Sequence, residues 1–214
     1  MPRIAGTPLL TSSVWAPRAP IPLERIALRL GPIRDQLADR SPAHQTDATP
    51  YETYSEAVAK LAAPAVFANR RTYRLLGAEL DSSQPGMLFG LGHYFDSIDI
   101  GDAVAHEYAA EQLCITFRKS LRRAIGSPVD LTRRPTNLAI SALTIRHDRR
   151  SGDARFLLHW RDPAKVGHAG GLYQVIPVGV FQPATDHPES LRNDFSLLRC
   201  LLREFAEELL GEDE

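Results

Sequence analysis

Short β-like and helical patterns of apolar positions alternate along the first half of the chain. From Ile26 to Leu30 the apolar residues recur at every second position, which predicts a strand with one buried face. Two further β-like runs, residues 71–80 and 87–95, flank a segment rich in turn-forming residues. Together they predict a β-hairpin.

Two helices are predicted in the same half. The sequence Thr-Pro-Tyr-Glu at 49–52 has threonine at an N-cap, proline in the first turn and glutamate in a capping box, which predicts a helix to about Leu61. Apolar residues at helical spacing predict one long amphipathic helix over residues 99–125, with Gly126 as its stop signal.

The second half opens on another β pattern. Apolar residues alternate over 138–145, a polar segment rich in breakers follows at 147–153, and the apolar run at 155–160 is the predicted partner strand. A loop containing Gly170-Gly171 then leads to the sequence Ile-Pro-Val-Gly at 176–179. The predicted order is strand, turn, strand, long loop and strand end, followed by a final helix.

That final helix, predicted to stop at Gly211, has two different sides at 3.6 residues per turn. The apolar side is predicted to face the core and consists of Phe195, Leu198, Leu202, Phe205 and Leu209. The charged side is predicted to face solvent and consists of Arg203, Glu204, Glu207 and Glu208.

The three glutamates are separated by steps that place helical side chains on one side. Glu207 lies three positions and Glu208 four positions after Glu204. Three carboxylates within reach of one hard cation form the donor set of a divalent-metal site. Acidic residues at these steps also occur on helices where they only solvate an exposed surface, so the spacing by itself leaves both interpretations open.

The fuller pattern resembles the signature of the Nudix (nucleoside diphosphate linked to x) hydrolase family. The string Arg-Glu-Phe-Ala-Glu-Glu-Leu-Leu-Gly at 203–211 follows the x-Pro-x-Gly strand end at 176–179, with one extra residue before the glycine. The resemblance covers about residues 137–211 and describes a divergent member of the family.

The resemblance implies a loop-helix-loop that holds Mg²⁺ or Mn²⁺ against a diphosphate. It implies Glu204, Glu207 and Glu208 as metal ligands or catalytic base, a backbone carbonyl of Gly179 near the metal, and Arg203 as a brace of the helix. The implied activity is hydrolysis of a nucleoside diphosphate derivative, in which metal-activated water cleaves a phosphoanhydride. The implied partner is a nucleotide-like small molecule, whose identity the box does not specify.

Two departures from the family pattern support a second hypothesis. Thr185 stands where the family has a further glutamate, with Glu189 nearby but off register. The interval from Gly179 to Arg203 is also longer than in the family. The second hypothesis is a non-catalytic module that keeps the fold and binds a ligand or partner as a sensor or regulator, and fold-level resemblance does not choose between the two.

Composition and charge add general constraints. With 214 residues, 43% of them hydrophobic and 24% charged, the chain is typical of a globular protein with a sizeable core. The net charge of -1 gives no global reason to expect nucleic acid or an anionic membrane as a partner. Cys114 and Cys200 are predicted to be buried reduced thiols and no apolar run reaches the length of a membrane span, which predicts a cytoplasmic location.

We expect an extended arm at residues 1–20, an α+β region at 21–136 and an apparently incomplete Nudix-like region at 137–214. The predicted fold class is α/β (α+β), a mixed sheet with flanking helices and the Nudix-like loop-helix at the C-terminus. Because a Nudix sheet needs strands beyond the box, either the hairpin at 71–95 joins the sheet of residues 138–160 or two copies form a homodimer.

Overall fold

The computed structural model describes residues 15–31, 51–115, 120–166 and 169–210. Its helices and its parallel and antiparallel strand pairs confirm an α+β fold. The chain divides into two compact units: the described residues up to Ala62 with Asn69–Asn137, and Ala63–Ala68 with the described residues from Leu138 onwards. Most of the predicted arm, the predicted N-cap Thr49 and the predicted stop Gly211 lie outside the described residues.

The N-terminal unit contains a three-stranded sheet of β1 (Ala27–Leu30), β2 (Arg71–Glu79) and β3 (Gly86–His93) in the order β1-β3-β2. β1 runs parallel and β2 antiparallel to β3, so the sheet is mixed. Exposure alternates along β1, which confirms the predicted one-faced strand, and the β2–β3 pair confirms the predicted hairpin. The hairpin contributes Tyr73 and Phe89 to the core, where both are fully buried.

The α-helix α1 (Tyr54–Leu61) of this unit begins later than predicted. Its N-cap is Thr53, whose side-chain oxygen accepts a hydrogen bond of 3.1 Å from the backbone N–H of Glu56. The carboxylate of Glu56 in turn accepts from the N–H of Glu52 at 2.9 Å. Thr53 and Glu56 therefore repeat the capping-box spacing that the sequence pattern assigned to residues 49–52. The predicted end at Leu61 is confirmed.

The prediction of one continuous helix over 99–125 is wrong. The structure has α2 (Tyr94–Ser97), a π-helical turn (Ile98–Asp102), α3 (Ala103–Gln112) and a separate α4 (Leu121–Ile125). Cys114 adopts φ 62°, a left-handed conformation that a helix interior does not contain. Gly126, at φ 76°, ends α4 as predicted.

A buried carboxylate explains why a new helix begins at Leu121. Glu107 of α3 is fully buried and accepts hydrogen bonds from the backbone N–H groups of Leu121 at 2.8 Å and Arg122 at 3.2 Å, and from the hydroxyl of Ser120. These bonds satisfy the donors that a helix N-terminus leaves open, and a negative charge there complements the helix dipole. Periodicity of apolar residues cannot reveal such a cap, because the cap comes from another helix.

The described residues of the C-terminal unit form three two-stranded antiparallel sheets rather than one continuous sheet. The pairs are β4 (Ala139–Ser141) with β9 (Val178–Val180), β5 (Ile145–His147) with β6 (Ala154–Phe156), and β7 (Leu158–Trp160) with β8 (Tyr173–Val175). The predicted strand, polar turn and returning strand are confirmed only around the turn, where β5 pairs with β6. Residues 158–160 of the predicted returning strand form β7 and pair with β8 instead. The continuity predicted over 138–145 is wrong, because Ala142 and Thr144 instead bond the carbonyls of Pro177 and Ile176.

The prediction that the hairpin at 71–95 shares a sheet with residues 138–160 is also wrong. Among the described strands, β2 and β3 pair with each other and β3 pairs with β1, whereas β4 to β9 pair among themselves. One backbone donor of β2 has a local partner outside the sheet, since the N–H of Leu75 bonds the carbonyl of Thr136 at 2.9 Å. Among the described helices, none combines the length and apolar composition that crossing a membrane requires.

Among the described residues after β9 there are two helices, the single turn α5 (Ser190–Asn193) and α6 (Leu197–Leu210). The prediction of which α6 face is buried is wrong. Leu198, Leu202 and Leu209 are 56%, 61% and 45% exposed, whereas Leu197 and Cys200 are buried. The charged side packs on β9, and its polar groups find partners beside that strand: Arg203 bonds the carbonyl of Gln182 just after β9, and Glu208 accepts a bond from Gln174 of β8. A hydrogen-bonded polar group can be buried without a large penalty.

Candidate functional site

The candidate site lies where α6 packs on β9. Gly179 is the middle residue of β9 and is paired with Ile140 of β4. A Cβ built on Gly179 would overlap the carboxyl group of Glu204. The absence of a side chain at Gly179 therefore lets the Glu204 carboxylate lie against the strand backbone. The structure therefore brings Gly179 of β9 into contact with Glu204 of α6, two residues that the sequence analysis assigned to one site.

Arg203 connects two of the carboxylates to the chain after β9. Its Nη2 donates a 2.9 Å hydrogen bond to the carbonyl of Gln182 and lies 3.8 Å from Oε1 of Glu204. Its Nε lies 3.7 Å from Oε1 of Glu207. The side chains of Arg203 and Glu204 are only 15% and 14% exposed. This guanidinium therefore reduces the repulsion between two neighbouring carboxylates.

Glu208 belongs to a second set of contacts on the same helix. Its Oε1 accepts a 3.1 Å hydrogen bond from Nε2 of Gln174 on β8, and Oε1 of Gln174 accepts a 2.6 Å bond from Nη1 of Arg161. The Oε2 atom of Glu208 is buried and has no hydrogen bond of normal geometry. Glu208 was predicted to face solvent, and that prediction is wrong.

Sequence reasoning missed Gln174 and Arg161. Gln174 stands directly opposite His159 in the β7–β8 pair, so each strand presents one polar residue at a paired position among apolar neighbours. Such a residue inside a short apolar strand is a signal that a polar partner lies nearby. The partner could not be identified from the sequence, because Glu208 is 34 residues further along the chain.

Burial dominates the electrostatics of this part of the site. It raises the pKa of Glu208, while the charges of His159 and Arg161, the N–H of Val178 and the bond from Gln174 favour the ionised form. Burial and the charge of Glu204 raise the pKa of the Cys200 thiol to about 11. Cys200 therefore stays protonated at neutral pH.

The two cysteines are free, and Cys200 is buried as predicted. Its Sγ lies 3.6 Å from the carbonyl of Val180 in a weak hydrogen bond. Cys114 is exposed, so the prediction of two buried thiols is wrong for this residue. The burial of Cys114 was predicted on the assumption that it lies within a continuous helix. The helix instead ends at Gln112, and Cys114 adopts a left-handed backbone conformation.

We expect Glu208→Gln to stabilise the protein at neutral pH and to have a smaller effect in acid. Because burial raises the folded-state pKa of Glu208 above its ordinary 4.5, the folded protein binds this proton more tightly than the unfolded chain. Protonation of Glu208 therefore stabilises the folded wild type at a pH below its ordinary pKa. This stabilisation is lost as the pH rises through the raised pKa of the folded state. Thermal unfolding of both proteins between about pH 4 and pH 8 checks this. A stabilisation that grows towards low pH would contradict it.

The carboxylates of α6 have the chemistry of a site for a hard cation. Carboxylate oxygens are the ligands that Mg²⁺ and Mn²⁺ prefer. Glu204 reaches the backbone of Gly179, and one oxygen of Glu208 is buried without a hydrogen bond of normal geometry. Within the described ranges, no group of three or more histidine, cysteine, aspartate or glutamate side chains is placed to hold a metal ion as it stands. Cation binding by all three glutamates therefore requires their carboxylates to lie closer together than they do in this structure.

The position expected to carry a further acid is occupied by a hydroxyl. The Oγ1 of Thr185 lies 2.8 Å from the Oγ of Ser190, and both Thr185 and Glu189 are exposed between β9 and α5.

Comparison of the chain with protein-family models, with curated proteins and with solved structures gives no match. The functional interpretation therefore depends on the residues and their geometry.

Proposed function

We propose that the C-terminal unit is a divergent Nudix-like hydrolase that cleaves a phosphoanhydride of a nucleoside diphosphate derivative in the presence of Mg²⁺ or Mn²⁺. The observation that carries this proposal is the contact between the Glu204 carboxylate and Gly179, with Arg203 beside it. A glycine of β9 that receives a glutamate from an Arg-Glu-x-x-Glu-Glu helix is the arrangement that the sequence resemblance implied. The two free cysteines support a cytoplasmic location.

The residues have distinct roles in this proposal. Glu204, Glu207 and Glu208 would serve as cation ligands or as the catalytic base, and the backbone carbonyl of Gly179 would be a further ligand. The cation when bound neutralises phosphate charge and lowers the pKa of the attacking water. The carboxylate not engaged with the cation would accept the proton of that water. Arg203 positions the helix through the carbonyl of Gln182.

Gln174 and Arg161 are positioning residues for Glu208. The chain of hydrogen bonds from Arg161 through Gln174 holds one oxygen of Glu208 on β8. Such outer partners orient a metal ligand, and their removal typically lowers metal affinity about 10–100-fold. These two residues extend the proposed site beyond the residues that the sequence motif contains.

A second candidate is a non-catalytic sensor with the same fold. It is favoured by the contacts of the acidic residues in this structure, since Arg203 lies beside Glu204 and Glu207 while Gln174 bonds Glu208. Thr185 at the position of an expected acid favours it too. A sensor would bind a diphosphate-linked nucleotide without hydrolysing it.

A panel of diphosphate-linked nucleotides, assayed with Mg²⁺ or Mn²⁺ and with a chelator, separates the two candidates. Turnover that requires the metal and is lost in Glu207→Gln supports the hydrolase, with Glu189→Gln as a control that removes an exposed glutamate outside α6. Thermal stabilisation by a nucleotide without turnover supports the sensor. Turnover that is equal in Glu207→Gln and the wild type would contradict the hydrolase.

A further inference from the structure

The β5–β6 hairpin carries four exposed arginines within ten residues: Arg146, Arg149, Arg150 and Arg155. Arg146 and Arg155 stand directly opposite each other in the antiparallel pair, so their side chains leave the same face of the hairpin. Arg149 and Arg150 lie in the turn between the strands. Like charges that face each other across two strands destabilise the pair, so the hairpin retains an unfavourable arrangement in the free protein.

The two aspartates of the hairpin offset only part of the charge of its four arginines. Asp148 uses its Oδ1 to accept bonds from the backbone N–H groups of Arg150 at 2.8 Å and Ser151 at 3.3 Å. Asp153 accepts a 2.9 Å bond from the hydroxyl of Ser151. Gly152, at φ 78°, completes the turn in a conformation that favours glycine. Both carboxylates thus shape the turn, and among the described residues none of the four arginine side chains has an ion pair.

We propose that this hairpin binds the phosphate backbone of a nucleic acid, through the facing pair of arginines and the two arginines of its turn. Its cations are all arginine, whose planar guanidinium binds phosphate oxygens in a bidentate manner. A two-stranded β-ribbon also has dimensions that the major groove of duplex DNA admits. The net charge of -1 provides no attraction from the rest of the chain, so the attraction is local to the hairpin.

Two other polyanionic partners fit the hairpin less well. Binding at an anionic membrane would call for apolar side chains at the tip, whereas the tip sequence is Arg-Arg-Ser-Gly. An acidic protein presents separate carboxylates rather than the closely spaced phosphates that a facing arginine pair can contact together. This binding surface is independent of the proposed hydrolase site and makes no use of the carboxylates of α6.

Contacts of this kind have a measurable dependence on salt. For duplex DNA the logarithm of the binding constant falls with the logarithm of salt concentration by about 0.9 per phosphate neutralised. Four arginines predict a slope of about -3.6, and loss of two of them reduces its magnitude by about 1.8. Non-specific binding of this kind typically has a Kd of about 10⁻⁴ to 10⁻⁶ M at physiological salt, and tighter binding at lower salt.

Fluorescence anisotropy of a labelled mixed-sequence DNA duplex, titrated with full-length protein at several salt concentrations, tests this proposal. We expect Arg146→Gln combined with Arg155→Gln to weaken binding about tenfold or more at low salt and to reduce the salt slope as calculated. The matched control is Lys165→Gln combined with Arg192→Gln, which removes the same charge from exposed positions of the same unit and should change affinity less than twofold.

Thermal unfolding checks that the double hairpin variant is folded, and we expect an unchanged or raised Tm because two facing charges are removed. Equal weakening in the hairpin and control variants would overturn the proposal, as would a duplex affinity that neither variant changes. Equally tight, hairpin-dependent binding of poly-glutamate or of phosphatidylserine vesicles would also overturn the assignment to nucleic acid.

Discussion

Phe181→Ala should lower the free energy of unfolding of the C-terminal unit by about 3–5 kcal/mol. Phe181 follows β9 directly, is fully buried and packs its ring 5.7 Å from the ring of Phe195. Its backbone N–H bonds the carbonyl of Leu138 at 2.8 Å, so the cavity would open where β9 is anchored to the start of β4. Urea denaturation followed by circular dichroism measures the change as a shift of the midpoint.

Phe205→Ala is the matched control for this prediction. The sequence pattern placed Phe205 at the centre of the buried face of α6, where the same loss of about 3–5 kcal/mol is expected. In the structure Phe205 is only partly buried, and the leucines on its side of the helix are exposed. We therefore expect a clearly smaller effect for Phe205. Equal destabilisation by both substitutions would mean that α6 packs with its apolar side inward.

Gly179→Ala should weaken binding of Mn²⁺ about 10–100-fold while leaving the fold nearly unchanged. The new methyl group would occupy the position of the Glu204 carboxyl group and displace it from the strand. The cost in stability is small because only the end of a flexible side chain has to move. Calorimetric titration and thermal unfolding measure the two quantities on the same samples.

Gly77→Ala is the control for Gly179→Ala, since no atom lies within 4 Å of a Cβ built on Gly77. It should leave Mn²⁺ binding unchanged. If Gly179→Ala bound Mn²⁺ as tightly as the wild type, cation binding would not depend on the contact between the Glu204 carboxylate and the backbone of Gly179. A large loss of stability in Gly179→Ala would instead indicate that the backbone of β9 had shifted.

Local patterns predicted the elements well where the partners are close in sequence. The alternation in β1, the hairpin of β2 and β3, the strand and polar turn at β5 and β6, and Gly126 as a helix stop all depend on neighbouring residues. Side-chain periodicity and turn chemistry act over a few residues, so they could be read without knowledge of the fold.

The errors arose where a distant partner decided the structure. The side of α6 that is buried depends on the carbonyl of Gln182 and the amide of Gln174, which give Arg203 and Glu208 hydrogen bonds. The interruption of the predicted long helix depends on the carboxylate of Glu107, which caps α4. Periodicity assigns faces from hydrophobicity alone and contains no information about such polar partners.

The candidate site was predicted in part. The motif identified Glu204 and Gly179 as neighbours although they lie on different elements, and the structure brings them into contact. The motif did not contain Arg161 or Gln174, because their role depends on the β7–β8 pairing and not on any local spacing. The metal and the hydrolytic activity remain a proposal.

Calorimetric titration of Mn²⁺ into the full-length protein tests the central claim, that the carboxylates of α6 form a divalent-metal site beside Gly179. We predict saturable binding by the wild type and at least tenfold weaker binding by each of Glu204→Gln, Glu207→Gln and Glu208→Gln. The control Glu189→Gln should bind as the wild type does. No binding by the wild type, or affinities unchanged in all three α6 variants, would contradict the account.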